Sequence, residues 1–413
     1  MTPKIVPIGL ARRALLLAGT CAPMLAAAAE PKRATKPPAR PSARAAKQEA
    51  PTGTPAQTPV GPIDVLAKWA VIIDFNSGAT LLDKDADLSI PPSSMTKLMT
   101  AYIVYGMLRA GRLKLDQQLP VSEKAWKMGG SKMFVQVGTS VSVEDLIRGM
   151  IIQSGNDACI VLAEAIAGSE EQFADLMNQK AGELGLTQSH FRNATGWPDP
   201  DHRMSVRDIS TVARRIIADF PEYYRYDAEK TFKYNGIEQM NRNALVQKGI
   251  ADGLKTGHTE AGGYGLVASA QRGGRRVIVV VNGLATNHQR GEEGERLLEW
   301  AFREFENANI FARGDKVDDA TVWLGDAPKV PLLAGRDLVL TLPRGWRDRA
   351  KIEVQYDSPV PAPVRAGTQL GRIRVSGQGV PPAELPLLAG ADVGRLGLPA
   401  RGLAVLSHYI TGS

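Results

Sequence analysis

The sequence predicts an α+β fold: an antiparallel sheet flanked by helices, followed by a small all-β domain. Three observations predict it. Strand patterns stand at both ends of residues 63–307 and helical patterns lie between them, an order suited to one antiparallel sheet with helices against it. Beyond about Ala308 the pattern changes to short alternating strands with Gly/Pro turns, as in "KVDDATVWLGDAPKVPLLAGRDLVLTLPRGW" and "AGTQLGRIRVSGQGV". The chain has 413 residues, 44% of them hydrophobic, which suffices for two cores and tails.

The N-terminus has the anatomy of an export signal over residues 1–29. Lys4, Arg12 and Arg13 supply positive charge, "ALLLAGTCAPMLAAAA" is a short apolar region, and Ala27 and Ala29 fit a cleavage site before Glu30. Residues 30–62 are rich in Pro, Ala, Thr and Lys/Arg and poor in large apolar side chains, which reads as a disordered linker. Residues 1–50 hold nine Lys/Arg and two Glu, which is the whole net charge of +7. The remaining chain sums to zero and lacks the basic footprint of a nucleic-acid binder. No apolar run reaches the length of about 18 residues that a membrane-spanning helix needs.

Order is expected from Ile63. "KWAVIIDFNSGATLLDKDAD" reads as two strands around Asn76-Ser77-Gly78, and the stretch after Lys97 as a helix stopped at Gly111. "SVSVEDLIRGMIIQSGNDACIVLAEAIAG" reads as two helices interrupted by "SGND", the first opened by Ser142 with Asp145. Cys159 lies in an apolar helical pattern and reads as core; it is the one cysteine left after the leader, so no internal disulfide forms. "SVRDISTVARRIIADF" is a further helix from Ser205. "DGLKTGHTEAGGYGLVASAQRGGRRVIVVVNGL" gives strands around Gly273-Gly274, and "GERLLEWAFREFEN" closes the region as an amphipathic helix. A small β domain is expected over 308–390. In residues 391–413, Leu396, Leu398, Leu403, Val405, Leu406, Tyr409 and Ile410 make an apolar face beside Arg395 and Arg401, against which Pro399 and the glycines count.

Three short motifs carry the chemistry: Ser94-x-x-Lys97, Ser154-Gly155-Asn156 and Lys255-Thr256-Gly257. Singly each reads as a helix cap, a loop and a turn. Residues three apart on a helix share a face, so Lys97 reaches the Ser94 hydroxyl. Burial among Leu98, Met99 and Ile103 would lower the lysine's pKa and make it a base. The helix start offers backbone N–H groups for an oxyanion near Ser94. Lys255 supplies a second cation at a sheet edge, suited to a substrate carboxylate.

In this combination the sequence resembles the penicillin-interacting serine enzymes. "SMTKLMT", "IIQSGNDACI", "NRNAL" and "DGLKTGHT…GYGLVASA" are similar to the D-alanyl-D-alanine carboxypeptidases among the low-molecular-weight penicillin-binding proteins. The resemblance runs from about residue 64 to the C-terminus and is densest in the catalytic region. It implies a β-lactamase/penicillin-binding transpeptidase-like fold and an exported, periplasmic enzyme acting on peptidoglycan stem peptides and acylated by β-lactams. It implies Ser94 as nucleophile, Lys97 as its base and Ser154 as proton relay to the departing D-alanine. Asn156 would hold the substrate backbone and help place Lys97. Lys255, Thr256 and Thr259, with Gly257 between them, would bind the terminal carboxylate, and the backbone N–H groups of Ser94 and His258 would form the oxyanion hole. Arg242 and Arg290 would add positive potential there or serve as surface ion pairs. No metal or cofactor is implied. In this family a terminal amphipathic helix often lies on a membrane surface, which adds the inner membrane as a partner of residues 391–413. Gly155 stands where class A β-lactamases have Asp, and no Glu-x-x-Leu-Asn stretch is present, so penicillins should be released slowly. The rival readings are a β-lactamase, an endopeptidase using the same residues, and a non-catalytic wall-binding scaffold.

Overall fold

The computed structural model describes residues 2–7 and 53–411. A five-stranded antiparallel sheet is its centre, in the order Thr256–Thr259, Gly263–Arg272, Arg275–Leu284, Trp69–Asp74, Thr80–Lys84. Alternation along each strand divides its side chains between two layers. Ala70, Ile72, Val277, Val279 and Val281 pack with Leu297, Leu298 and Trp300 of the helix Asn287–Glu304. Val71, Ile73, Ile278 and Val280 face the other way. There they join the helices Lys97–Arg109, Val143–Ile151, Asn156–Ala167 and Val206–Asp219. Helices on both faces explain why the central strand carries the unbroken apolar run "VIVVV" from Val277 to Val281.

The helices begin where their caps predict. The Ser142 hydroxyl accepts the Asp145 N–H at 3.1 Å, and Ser205 accepts that of Asp208 at 3.0 Å, each meeting one of the donors a helix start leaves open.

Residues 305–389 form a second layer system around their own core, with Leu332, Trp346, Ile373 and Leu385 at its centre. The first strand, Phe305–Phe311, follows the helix Asn287–Glu304 directly and pairs with Leu338–Pro343. The remaining strands belong to a seven-stranded sheet. At one edge Thr2–Pro7 pairs antiparallel with Ala350–Ser358, a pairing available only while the expected leader remains attached. The rest of that leader and most of the expected linker lie outside the described residues.

Two expectations change. The linker was expected to run to residue 62, but Thr54–Ala56 is a strand paired with Ile63–Val65, and Gln57 exchanges backbone hydrogen bonds with Asp83. Composition reads only local preference, and this strand is held by partners far along the chain. The terminal segment 391–413 also divides. Val393 is buried in the β core and exchanges backbone bonds with Val364, and the Leu396 N–H reaches Leu324. The helix itself is Leu398–Thr411, with Pro399 in its first turn, where the missing N–H costs nothing.

Candidate active site

Ser94 lies in the short 3-10 turn Ser93–Thr96 that leads into the helix Lys97–Arg109. The Lys97 side chain is fully buried, and its Nζ meets three acceptors: Ser94 Oγ at 3.0 Å, Asn156 Oδ1 at 2.7 Å and the Thr195 carbonyl at 2.7 Å. An ammonium would donate to all three. A neutral amine keeps two donors for Asn156 and Thr195 and turns its lone pair to the serine. Burial pushes the Lys97 pKa down to about 8, with a further push from Arg242 and opposition from Cys159, Asp157 and Glu170.

Asn156 starts the helix Asn156–Ala167. Its Nδ2 donates to the Gly129 carbonyl at 2.8 Å, which orients Oδ1 toward Lys97. The preceding Ser154 sits at φ +65° between the two helices, and its buried hydroxyl has no hydrogen-bond partner among the described residues.

The third motif lies along the sheet edge. Lys255 is buried, its Nζ donates to the Thr256 carbonyl at 3.1 Å, and no carboxylate faces it in an ion pair among the described residues. Burial, then Lys97 and Arg242, hold its pKa well below the usual lysine range. An incoming carboxylate would supply the counterion that favours the charged form of Lys255. Gly257 allows the approach of the two motifs: a Cβ there would stand 2.1 Å from Ser93 Oγ. His258 and Thr259 line the cavity beyond, and the His258 ring is exposed and stacked on Tyr264 at 3.9 Å.

The two arginines are placed differently. Arg242 donates to Ser131 Oγ at 2.6 Å, beside the cavity. Arg290 is buried behind the strand, with Nη1 3.4 Å from the Gly257 carbonyl and Nη2 3.4 Å from that of Arg242. Burial pushes its pKa down to about 10. Neither forms a surface ion pair among the described residues.

The cavity of about 720 Å³ is lined by Ser94, Asn156, His258 and Thr259 together with residues that the motifs do not contain: Gly130, Ser131, Trp197, Arg203 and Glu260 among them. The loop "RNATGWPDPDH" forms much of this wall. Asn193 Oδ1 accepts the N–H groups of Thr195, Gly196 and Trp197, which fixes the carbonyl that holds Lys97. In sequence the loop shows Pro, Asp and Gly and nothing that marks its carbonyl.

A family model described as D-alanyl-D-alanine carboxypeptidase matches residues 54–286, and one described as the penicillin-binding protein 5 C-terminal domain matches 305–395. D-alanyl-D-alanine carboxypeptidase DacC of Escherichia coli is 40% identical over 333 residues, covering 78% of this chain and 83% of that protein. The crystal structure of penicillin binding protein 5 from Haemophilus influenzae superposes with a TM-score of 0.73 at 37% identity, covering 81% of this chain and 99% of that one. Penicillin-binding protein D2 of Listeria monocytogenes in its ampicillin-bound form is 28% identical, with a TM-score of 0.54 over 58% of this chain and 98% of that one.

Proposed function

Since the chain belongs to the D-alanyl-D-alanine carboxypeptidase family, we propose that Ser94 is the nucleophile of its serine-type hydrolysis and Lys97 the base. The enzyme is a penicillin-binding carboxypeptidase of peptidoglycan peptides. The observation that carries the assignment is Lys97 itself, a buried lysine whose Nζ touches Ser94 Oγ while two fixed acceptors aim it.

The geometry supports the following reaction. Neutral Lys97 takes the Ser94 proton as Oγ attacks the carbonyl between the two terminal D-alanines. The N–H groups of Ser94 and His258 receive the oxyanion. Lys255, Thr256 and Thr259 hold the terminal carboxylate, with Arg242 and Arg290 adding positive potential. The unpartnered Ser154 hydroxyl passes its proton to the departing D-alanine amine and takes in exchange the proton that Lys97 received, which leaves Lys97 neutral again. Water then attacks the acyl-enzyme ester, Lys97 taking its proton and returning it to Ser94 Oγ as the shortened peptide leaves. A β-lactam enters the first half of the same sequence and leaves slowly.

The leader composition supports export to the periplasm, and the exposed leucines 398, 403 and 406 favour attachment of the terminal helix to the inner-membrane surface.

The test is D-alanine release from a pentapeptide ending in D-Ala-D-Ala, with Ser94→Ala alongside. Release by the wild type alone, and a penicillin mass adduct only when Ser94 is present, is the expected result. Activity in Ser94→Ala would remove the nucleophile. Rapid nitrocefin turnover would favour a β-lactamase, and cleavage confined to cross-linked dimers an endopeptidase. Silence on every substrate, with Ser94→Ala fully complementing a deletion, would favour the scaffold.

A further inference from the structure

The cavity wall contains a buried histidine to which the motifs give no role. His202 closes the loop that carries Thr195 and is 2% exposed. Its Nδ1 accepts the Arg192 backbone N–H at 3.1 Å. A neutral imidazole has one donor and one acceptor nitrogen, so the proton lies on Nε2. Nε2 is 2.9 Å from Thr96 Oγ1 and therefore donates to it. Burial keeps the ring neutral, pushing its pKa down to about 4 against a raising pull from Asp199; His190 and Lys97 push the same way as burial. Phe191 meets the ring edge-on at 5.7 Å.

Thr96 is the residue between Ser94 and Lys97 that the motif leaves unspecified. Its hydroxyl sits against the loop: a Cβ on Gly196 would stand 2.8 Å from Thr96 Oγ1 and 1.8 Å from the Ser93 carbonyl. The loop backbone is thus packed onto the nucleophile turn at Gly196. One residue earlier, it reaches over with the Thr195 carbonyl to hold Lys97. His202 bonds both bodies, the loop through Arg192 and the turn through Thr96, and does so at the Thr96 side of the contact, while Thr100 donates to the Ala194 carbonyl at 2.7 Å one helical turn further on.

We infer that His202 is a positioning residue for acylation, fixing the separation between the Ser94–Lys97 turn and the Thr195 carbonyl and so the aim of the Lys97 amine at Ser94. The inference rests on the reading of Lys97 as base. A carbonyl accepting from an ammonium favours the charged form. Loosening the Thr195 contact therefore lowers the Lys97 pKa further. The other groups acting on Lys97 (Asp157 and Cys159 from one helix, Glu170 from the next, Arg242 and Lys255 from across the cavity) stay in place.

The experiment is the rate of acylation by a fluorescent penicillin, measured on the full chain from about pH 5 to pH 10, with unfolding temperatures alongside. Gln in His202→Gln extends an amide N–H to the Nε2 position and keeps the bond to Thr96 while giving up the one to Arg192, which lies in the same loop; its rate should stay within about threefold of the wild type. Asn in His202→Asn keeps an acceptor for Arg192 but falls short of Thr96. Its plateau rate should drop by roughly tenfold, and the acid limb should move to lower pH. Thr96→Val preserves shape without the acceptor and should reproduce both changes. The double variant should be no worse than either single one, because both break one link.

Lowered unfolding temperatures with unchanged acid limbs and rates per folded site in His202→Asn and Thr96→Val would overturn the inference and leave a brace for the fold. Loss of rate in His202→Gln equal to that in His202→Asn would overturn the Thr96 link. A wild-type profile with no acid limb near pH 8 would instead remove the reading of Lys97 as base, which the same data set shows separately.

Discussion

Two buried ionisable groups in this molecule show how burial alone creates opposite outcomes. Lys97 is desolvated but has three acceptors, so it becomes a base that is still well placed. Asp227 is desolvated and neither of its carboxyl oxygens has a hydrogen-bond partner among the described residues. Burial pushes its pKa up to about 8, Lys255 acting against that rise and Asp252 with it. In the unfolded chain an aspartate gives up its proton near pH 4. Between these values the folded state holds a proton that the unfolded state has lost, so stability falls as pH rises through that window. Asp227→Asn puts a neutral amide in the same space and removes the titration. Near pH 4 the variant and the wild type should unfold alike. At pH 7 the variant should be the more stable by up to about 4 kcal/mol. Denaturant unfolding across the pH series checks this, and two parallel curves would show that the acid is ionised in the fold.

At the scale of elements, the helix Asn156–Ala167 organises the wall opposite Ser94 through its second residue. Asp157 Oδ1 accepts the N–H of Met133 at 2.9 Å, and Oδ2 those of Phe134 at 2.8 Å and Val135 at 3.2 Å. Phe134 is held at φ +69° in this turn. The same segment offers the Gly129 and Ser131 carbonyls to Asn156, which in turn aims Lys97. In Asp157→Asn, an NH₂ group would face at least one of these backbone donors. The expected cost is about 1.5–3 kcal/mol of stability, with slower penicillin acylation. An unchanged unfolding temperature and unchanged acylation would show that the segment holds itself. This layer also marks where sequence reading ends. Ser142 and Ser205 were legible as helix starts because a cap and its N–H lie three residues apart. The spacing of Ser94 and Lys97 was legible for the same reason. The Thr195 carbonyl was not, because every residue carries one, and neither was His202, whose partners stand 10 and 106 positions away. The strand Thr54–Ala56 stayed hidden in a Pro/Thr-rich stretch because only its pairing with Ile63–Val65 orders it.

At the scale of the whole molecule, the core of the β domain is separate from the two packed on the faces of the catalytic sheet, and polar bonds join the domains. Ser77 meets Thr341 at 2.6 Å and Asn307 reaches Asp74 at 3.3 Å, while Arg275, held by Asp74 at 2.8 Å, donates to the Phe305 carbonyl where the β region begins. The β layers beyond carry the terminal helix, and its described exposed residues include Leu398, Leu403 and Leu406, 77%, 70% and 60% exposed. At 100° per residue these three lie within one face about 140° wide, the breadth of an interfacial helix's apolar side. Where the chain is cut therefore decides what a truncation reports. Removing residues 391–413 would also take Val393 out of the β core, mixing loss of attachment with loss of fold. Ending the chain at Gly397 removes the helix alone. That variant should keep the unfolding temperature and the soluble pentapeptide activity of the full chain, yet no longer sediment with vesicles containing anionic lipid. If both proteins sediment, the attachment lies elsewhere on the molecule. If neither does, the leucine face serves another contact and the enzyme reaches peptidoglycan free of the membrane.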